Sequence, residues 1–180
     1  KITGRTSNGW TIGVLDAVTR RERAYALDSV EVDGAMVPRE FREEVEPLSN
    51  YFVGRVKKDM RQGRLVVGGI ATSTVRGTDS ETLEARLPRH SESVGADVDW
   101  WLGGRRYRLM GSAAITNVSG DERALLRLQR SSARYFHRPD RQGSGAKGAF
   151  FLDRLDSSAT RMAGYGSQLR LSKEEGSWLW

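Results

Sequence analysis

The sequence predicts an all-β protein: an antiparallel up-and-down transmembrane β-barrel, partial, with about seven to eight strands of a larger barrel and one helical segment in a long loop. Three observations carry this expectation. Short glycine turns recur, long polar connections alternate with them, and the segments between are the length of tilted membrane strands. The short turns are Ser7-Asn8-Gly9, Arg61-Gln62-Gly63, Gly103-Gly104 and Lys173-Glu174-Glu175-Gly176. Glycine supplies the positive φ that tight hairpins need. The long connections run roughly Arg20–Ser49, Gly77–Ser93 and Gly120–Thr160 and are rich in charge, glycine and serine. Short turns at one end and long loops at the other are the habit of outer-membrane barrels. Tyr51–Met60, Arg64–Val75, Val94–Leu102 and Arg105–Val118 each match the roughly 9–11 residues needed to cross the hydrocarbon on a tilt.

The first hairpin, with Ser7-Asn8-Gly9 as a three-residue loop, places Ile2, Gly4, Trp10, Ile12 and Val14 on one face. Lys1, Thr3, Arg5 and Thr11 take the other. In the second, Phe52, Gly54, Val56, Val66, Gly68 and Ile70 are expected to face outward, and Arg55, Lys57 and Asp59 inward. A two-residue Gly103-Gly104 turn would pair Trp100 with Tyr107 and set Asp99 directly opposite Arg108. One face then carries Ala96, Val98, Trp100, Tyr107, Leu109, Gly111, Ala113 and Ile115. The other carries Asp97, Asp99, Arg106, Arg108, Ser112 and Thr116. In the last strand Tyr165, Leu169 and Leu171 oppose Gln168 and Arg170.

These faces define the candidate residues. Arg5, Arg55, Lys57, Asp97, Asp99, Arg106, Arg108 and Arg170 are expected to line a lumen. Trp10, Trp100, Tyr107 and Trp178 lie near short turns, where an aromatic girdle meets the headgroups. Tyr51, Phe52 and Tyr165 follow the long loops. Asp121–Phe136 reads as an amphipathic helix capped by Asp121. An ordered extracellular loop helix is the plain reading; a lumen plug or a binder of lipopolysaccharide phosphates is the sharper one.

Composition bounds the function. In 180 residues, 38% are hydrophobic and 29% charged, with a net charge of +6. The mean hydropathy is −0.55, a low value that alternating strands tolerate. No run approaches a membrane helix. With no cysteine, disulfides and thiolate metal sites are excluded. His90 and His137 lack ligand spacing. Asp97 with Asp99 and Glu43 with Glu44 read as partners for arginine, without a nucleophile–base arrangement beside them. No enzyme activity, cofactor or metal is therefore expected. Both ends of the sequence read as cut, so residues 1–180 are expected to be one slice of a longer barrel.

Several segments carry a family resemblance. They are Lys1–Trp10, Gly13–Thr19, Val45–Arg55 and Leu128–Asp140. They resemble an uncharacterised bacterial family in which a barrel domain of unknown function follows a carbohydrate-binding family-nine-like domain. The resemblance implies a bacterial outer-membrane location and lipid as a partner, with the carbohydrate-binding-like domain N-terminal in the parent chain. It implies no catalytic residues. The expected function is passive passage or surface binding of glycans or anionic solutes, and no nucleic acid is expected. The competing expectation is a soluble basic β-barrel or sandwich that binds nucleic acid or an acidic ligand.

Overall fold

The computed structural model describes residues 1–134, 136 and 154–176. The fold is all-β and antiparallel. Its main sheet has seven strands in the order β1-β2-β5-β6-β7-β8-β9, and β3 and β4 form a separate two-stranded ribbon. The strands are β1 (Ile2–Arg5), β2 (Trp10–Thr19), β3 (Glu22–Val32), β4 (Ala35–Glu46), β5 (Leu48–Met60), β6 (Leu65–Gly77), β7 (His90–Leu102), β8 (Tyr107–Ser119) and β9 (Arg161–Lys173). Two helices, α1 (Glu81–Glu84) and α2 (Glu122–Arg130), sit in the connections. The sheet does not close among the described residues.

Antiparallel pairing puts the β1–β2, β5–β6 and β7–β8 turns at one end of the sheet. The ribbon, the α1 loop and the α2 loop sit at the other. The first hairpin has the expected register, with Ile2 opposite Val14 and Arg5 opposite Thr11. Gly9, at φ +86°, closes its three-residue loop.

Two registers differ from expectation. The β5–β6 turn uses four residues, Arg61 to Arg64, so Met60 pairs with Leu65. Arg61, Gln62 and Gly63 all take positive φ. One extra turn residue flips β6. Val66, Gly68 and Ile70 therefore share the face of Asp59, Lys57 and Arg55, and Leu65, Val67 and Gly69 take the other. The β7–β8 turn also uses four residues, with positive φ at Gly103, Gly104 and Arg105. Trp100 consequently pairs with Leu109, not Tyr107, and Asp99 with Met110, not Arg108. This shift is by two residues, so the faces expected for β7 and β8 survive. Arg106 is a correction of another kind, because it caps the turn and lies on no strand.

The expected loop Arg20–Ser49 is largely a strand pair. β3 and β4 extend the β2–β5 hairpin beyond the sheet, with a register shift at Glu22/Arg23. Asp33 and Gly34 close it, both at positive φ, as a tight two-residue turn requires. From Arg23 to Val32 the ribbon runs roughly 30 Å at about 3.3 Å per residue. Its base is clamped. Arg21 pairs with Asp79 of the α1 loop and lies 3.4 Å from the buried carboxylate of Glu44. The Asp79 N–H donates to the other oxygen of that carboxylate at 3.3 Å.

The buried apolar core of the described residues is small: Ala124, Leu125, Ala159 and Met162, with Val118, Leu128 and Phe136 against it. It lies where α2 meets the loop ends of β8 and β9. The Gln129 side chain closes it by donating to the Asp156 carbonyl and accepting from the Asp156 N–H, both at 2.8 Å. Gly120 lets the connections approach. A Cβ there would stand 2.9 Å from the Arg89 nitrogen and 3.1 Å from the Pro88 Cα. Both are backbone atoms, so Gly120→Ala is expected to loosen this cap by about 1–3 kcal/mol. Faster limited proteolysis between α2 and β9, with the sheet intact, would check it.

Candidate functional site

The sheet has two faces of opposite chemistry. One carries Arg5, Lys57, Arg55 and Asp59, continuing to Asp97 and Asp99 on β7, Arg108 on β8 and Arg170 on β9. Seven of the eight expected lumen residues are thus brought to one face, and only Arg106 is elsewhere. Their charges are largely paired. Arg5 reaches Asp59 at 3.5 Å and Arg55 reaches Asp97 at 2.5 Å. Arg108 grips Asp99 through two nitrogens, at 2.9 and 2.6 Å. That pair is diagonal across the ladder. The guanidinium also lies 4.9 Å from the centre of the Trp101 ring, within cation–π range. Lys57 and Arg170 have no acidic partner among the described residues.

Gly68 makes the Arg55–Asp97 pair possible, because the two side chains must meet across β6. A Cβ at Gly68 would stand 2.8 Å from the guanidinium and from both carboxylate oxygens. The expectation that Gly68 faces outward concealed this role. Farther along, a Cβ built at Gly95 would lie 3.3 Å from that of Ala114, the residue opposite it. Directly opposed Cβ atoms in a flat ladder stand about 4.5–5.5 Å apart, so the sheet is pinched toward the charged face here.

Apart from Arg76 at the loop end of β6, the charged residues on this face lie in the half nearer the short turns. Toward the loops the same face shows Thr72, Thr74, Ser93, Thr116, Gly164 and Gly166. Tyr51 also lies on this face, opposite Ala17.

The opposite face is apolar through its middle. It presents Ile12 and Val14, Val56, Val67, Val98, Leu109 and Ala113, then Leu169 and Leu171. Nothing among the described residues covers it: Leu169 is 75% exposed, Val94 64% and Ile115 54%. Trp10, Trp100 and Tyr107 border it at the short-turn end. Lys58 lies 5.0 Å from the Trp10 ring and Arg61 5.9 Å from Trp100. Trp178 lies outside the described residues. Phe52 and Tyr165 border the face at the other end. Beyond them stand polar groups: Asn50 donates to Asp16 at 2.9 Å, and Asn117 bonds both Glu92 and Arg161. From Tyr107 to Ile115 the band runs roughly 27 Å along the strand at about 3.4 Å per residue. At a tilt of about 40° that is about 20 Å of height, close to the apolar band of a membrane barrel.

The loop end holds a cavity of about 410 Å³ between the ribbon base and the two helical connections. Pro47, Leu83 and Leu87 line it with Arg76, His90 and Asp121. No Trp, Tyr or Phe among the described residues lines it. His137 lies outside the described residues.

The helix α2 is shorter than expected, ending at Arg130. Asp121 caps it through the Arg123 N–H at 2.9 Å. The Arg123 guanidinium, and then that N–H, hold the Asp121 carboxyl below the ordinary carboxylate range. A folded value below the unfolded one stabilises above the unfolded pKa and is lost as pH falls through the folded one. The cap is therefore expected to persist at mildly acidic pH and to fray only below the usual carboxylate range, as a loss of helical circular dichroism.

The family comparison comes to the same stretch of chain. The model of the family described as Domain of unknown function (DUF5916) matches residues 1–123, from β1 to the start of α2. The segment Leu128–Asp140, which contributed to the resemblance, lies beyond that match. No curated protein and no solved structure matches the chain. With more than half of its length matched, the chain belongs to the DUF5916 family.

Proposed function

We propose that this sheet is part of the wall of a bacterial outer-membrane β-barrel, with its apolar face against lipid and its charged face lining the lumen. The observation that carries the reading is the apolar face that no described residue covers, bordered by aromatic rings at both ends and by polar networks beyond them. An exposed patch of that extent has to be covered in water. A soluble sandwich or barrel would bury the apolar face against its own second layer. Here the small core of α2 instead lies against Val118 and Met162, which belong to the charged face. The outer edge of β9 has no partner strand among the described residues. Unpaired backbone groups are costly in lipid, so the proposal requires further strands to close the wall.

In this reading the lumen serves passive passage, or the loop end serves surface binding, of glycans or anionic solutes. Glycans are proposed because the resemblance implies a neighbouring carbohydrate-binding-like domain. Anionic solutes enter through the surplus cations Lys57 and Arg170. Fractionation of cells making the full-length protein tests the location. The expected protein resists carbonate washing of the outer membrane and changes its gel mobility on boiling. Release of folded protein into the aqueous fraction would overturn the proposal.

A further inference from the structure

We propose that α2 is folded over the lumenal face at the barrel's outer mouth, where Arg127 and Arg130 form a receptor for phosphate-bearing anions. This rests on the barrel reading above. The side of the sheet on which α2 lies follows from its contacts. Leu125 and Ala124 are fully buried in a cluster with Met162 and Val118. Those two residues are directly paired across β8 and β9, on the face that carries Asp99, Arg108 and Arg170. The helix therefore caps the charged face, and its opposite side looks across the space that face encloses.

That opposite side is cationic. Arg123, Arg127 and Arg130 are exposed and follow one another at helical spacing, and Arg134 is exposed in the turn beyond. Arg123 is held by Asp121 at 3.0 Å. Arg127 and Arg130 have no acidic partner among the described residues. The helix cannot easily swing away. Gln129, between them in sequence, is fully buried and locked to the Asp156 backbone. Below the helix the charged face shows hydroxyls and glycines with no carboxylate until Asp97. Two guanidinium groups on a fixed support, with no acidic partner among the described residues, suit a phosphate group that accepts several charge-assisted hydrogen bonds.

The phosphate could belong to a passing solute or to a lipopolysaccharide headgroup. Calorimetric titration of the full-length protein in detergent with tripolyphosphate tests the shared chemistry. Arg127→Gln/Arg130→Gln is expected to weaken binding at least tenfold, and Arg127→Lys/Arg130→Lys to keep most of it. Equal binding by wild type and the Gln double variant, or no binding by wild type, overturns the proposal. In planar bilayers, block of current by tripolyphosphate from the loop side assigns the site to solutes in the mouth. Displacement of tripolyphosphate by lipopolysaccharide without any such block places the arginines outside the lumen and overturns the mouth assignment. A protein that never partitions into membranes defeats the barrel reading instead, and fractionation reveals that before any titration.

Discussion

Val98→Arg is expected to cost the proposed barrel about 2–4 kcal/mol, the penalty for a cation near the middle of the face that the proposal turns toward lipid. Val98 sits midway along the apolar band, opposite Gly111 on β8 and Val67 on β6. An arginine there has no short path to either polar border, because Trp100 lies on one side of it along its own face and Ala96 and then Val94 on the other. Ser112→Arg places the same side chain on β8 one residue from Gly111, but on the face of Asp97 and Gln168. There it meets a carboxylate and polar neighbours, and the change is expected to stay within about 0.5 kcal/mol. Urea unfolding of the refolded full-length protein in lipid vesicles, followed by tryptophan fluorescence, reads both. Similar costs for the two variants would mean that the faces do not differ in environment.

Gly9→Ala carries the second large effect, about 2–4 kcal/mol, from two sources. Gly9 has φ +86°, which costs a residue with a Cβ about 1–2 kcal/mol. That Cβ would also lie 2.6 Å from the Asp59 carbonyl oxygen, a backbone atom held because the Asp59 N–H donates to the Gly9 carbonyl at 2.8 Å. Relieving the overlap breaks the junction of the first turn with β5 and disturbs the Arg5–Asp59 pair. Gly104→Ala separates the two sources. Gly104 is at φ +70° with nothing within 4 Å of a built Cβ, so it should show the conformational cost of about 1–2 kcal/mol alone. Thermal midpoints of the shift in gel mobility would rank the two variants, with Gly9→Ala well below Gly104→Ala.

Period-two chemistry made the two faces of the sheet legible, and turn length decided where that reading failed. Ser7-Asn8-Gly9 is a true three-residue loop, and the register built on it is the one observed. At Arg61–Arg64 one unanticipated turn residue reversed every side chain of β6 and hid the notch at Gly68. At Gly103–Arg106 two unanticipated residues left the faces of the strands intact, took Arg106 off the strand and turned the Asp99–Arg108 pair from opposite to diagonal. Positive φ at Arg61, Gln62 and Arg105 caused these differences, and arginine and glutamine give no warning of it. The ribbon did have a signal. Asp33-Gly34 is a strong hairpin pair, obscured by eight carboxylates and three arginines between Glu22 and Glu46 that read as a solvated loop. The seat of α2 was beyond reach. Its amphipathic spacing showed a buried side, but only the pairing of Val118 with Met162 shows which face of the sheet receives it.

The central claim is that lipid covers the apolar face and water fills the space beside the charged one. Single cysteines at Val98 and Asp99 of the full-length protein in cells test it on two adjacent residues of one strand. Val98→Cys should react with a lipid-soluble maleimide and resist a water-soluble one, and Asp99→Cys should react with the water-soluble reagent. Protection of position 98 from both reagents, with position 99 still accessible to water, would mean that protein covers the apolar face, and would contradict the barrel.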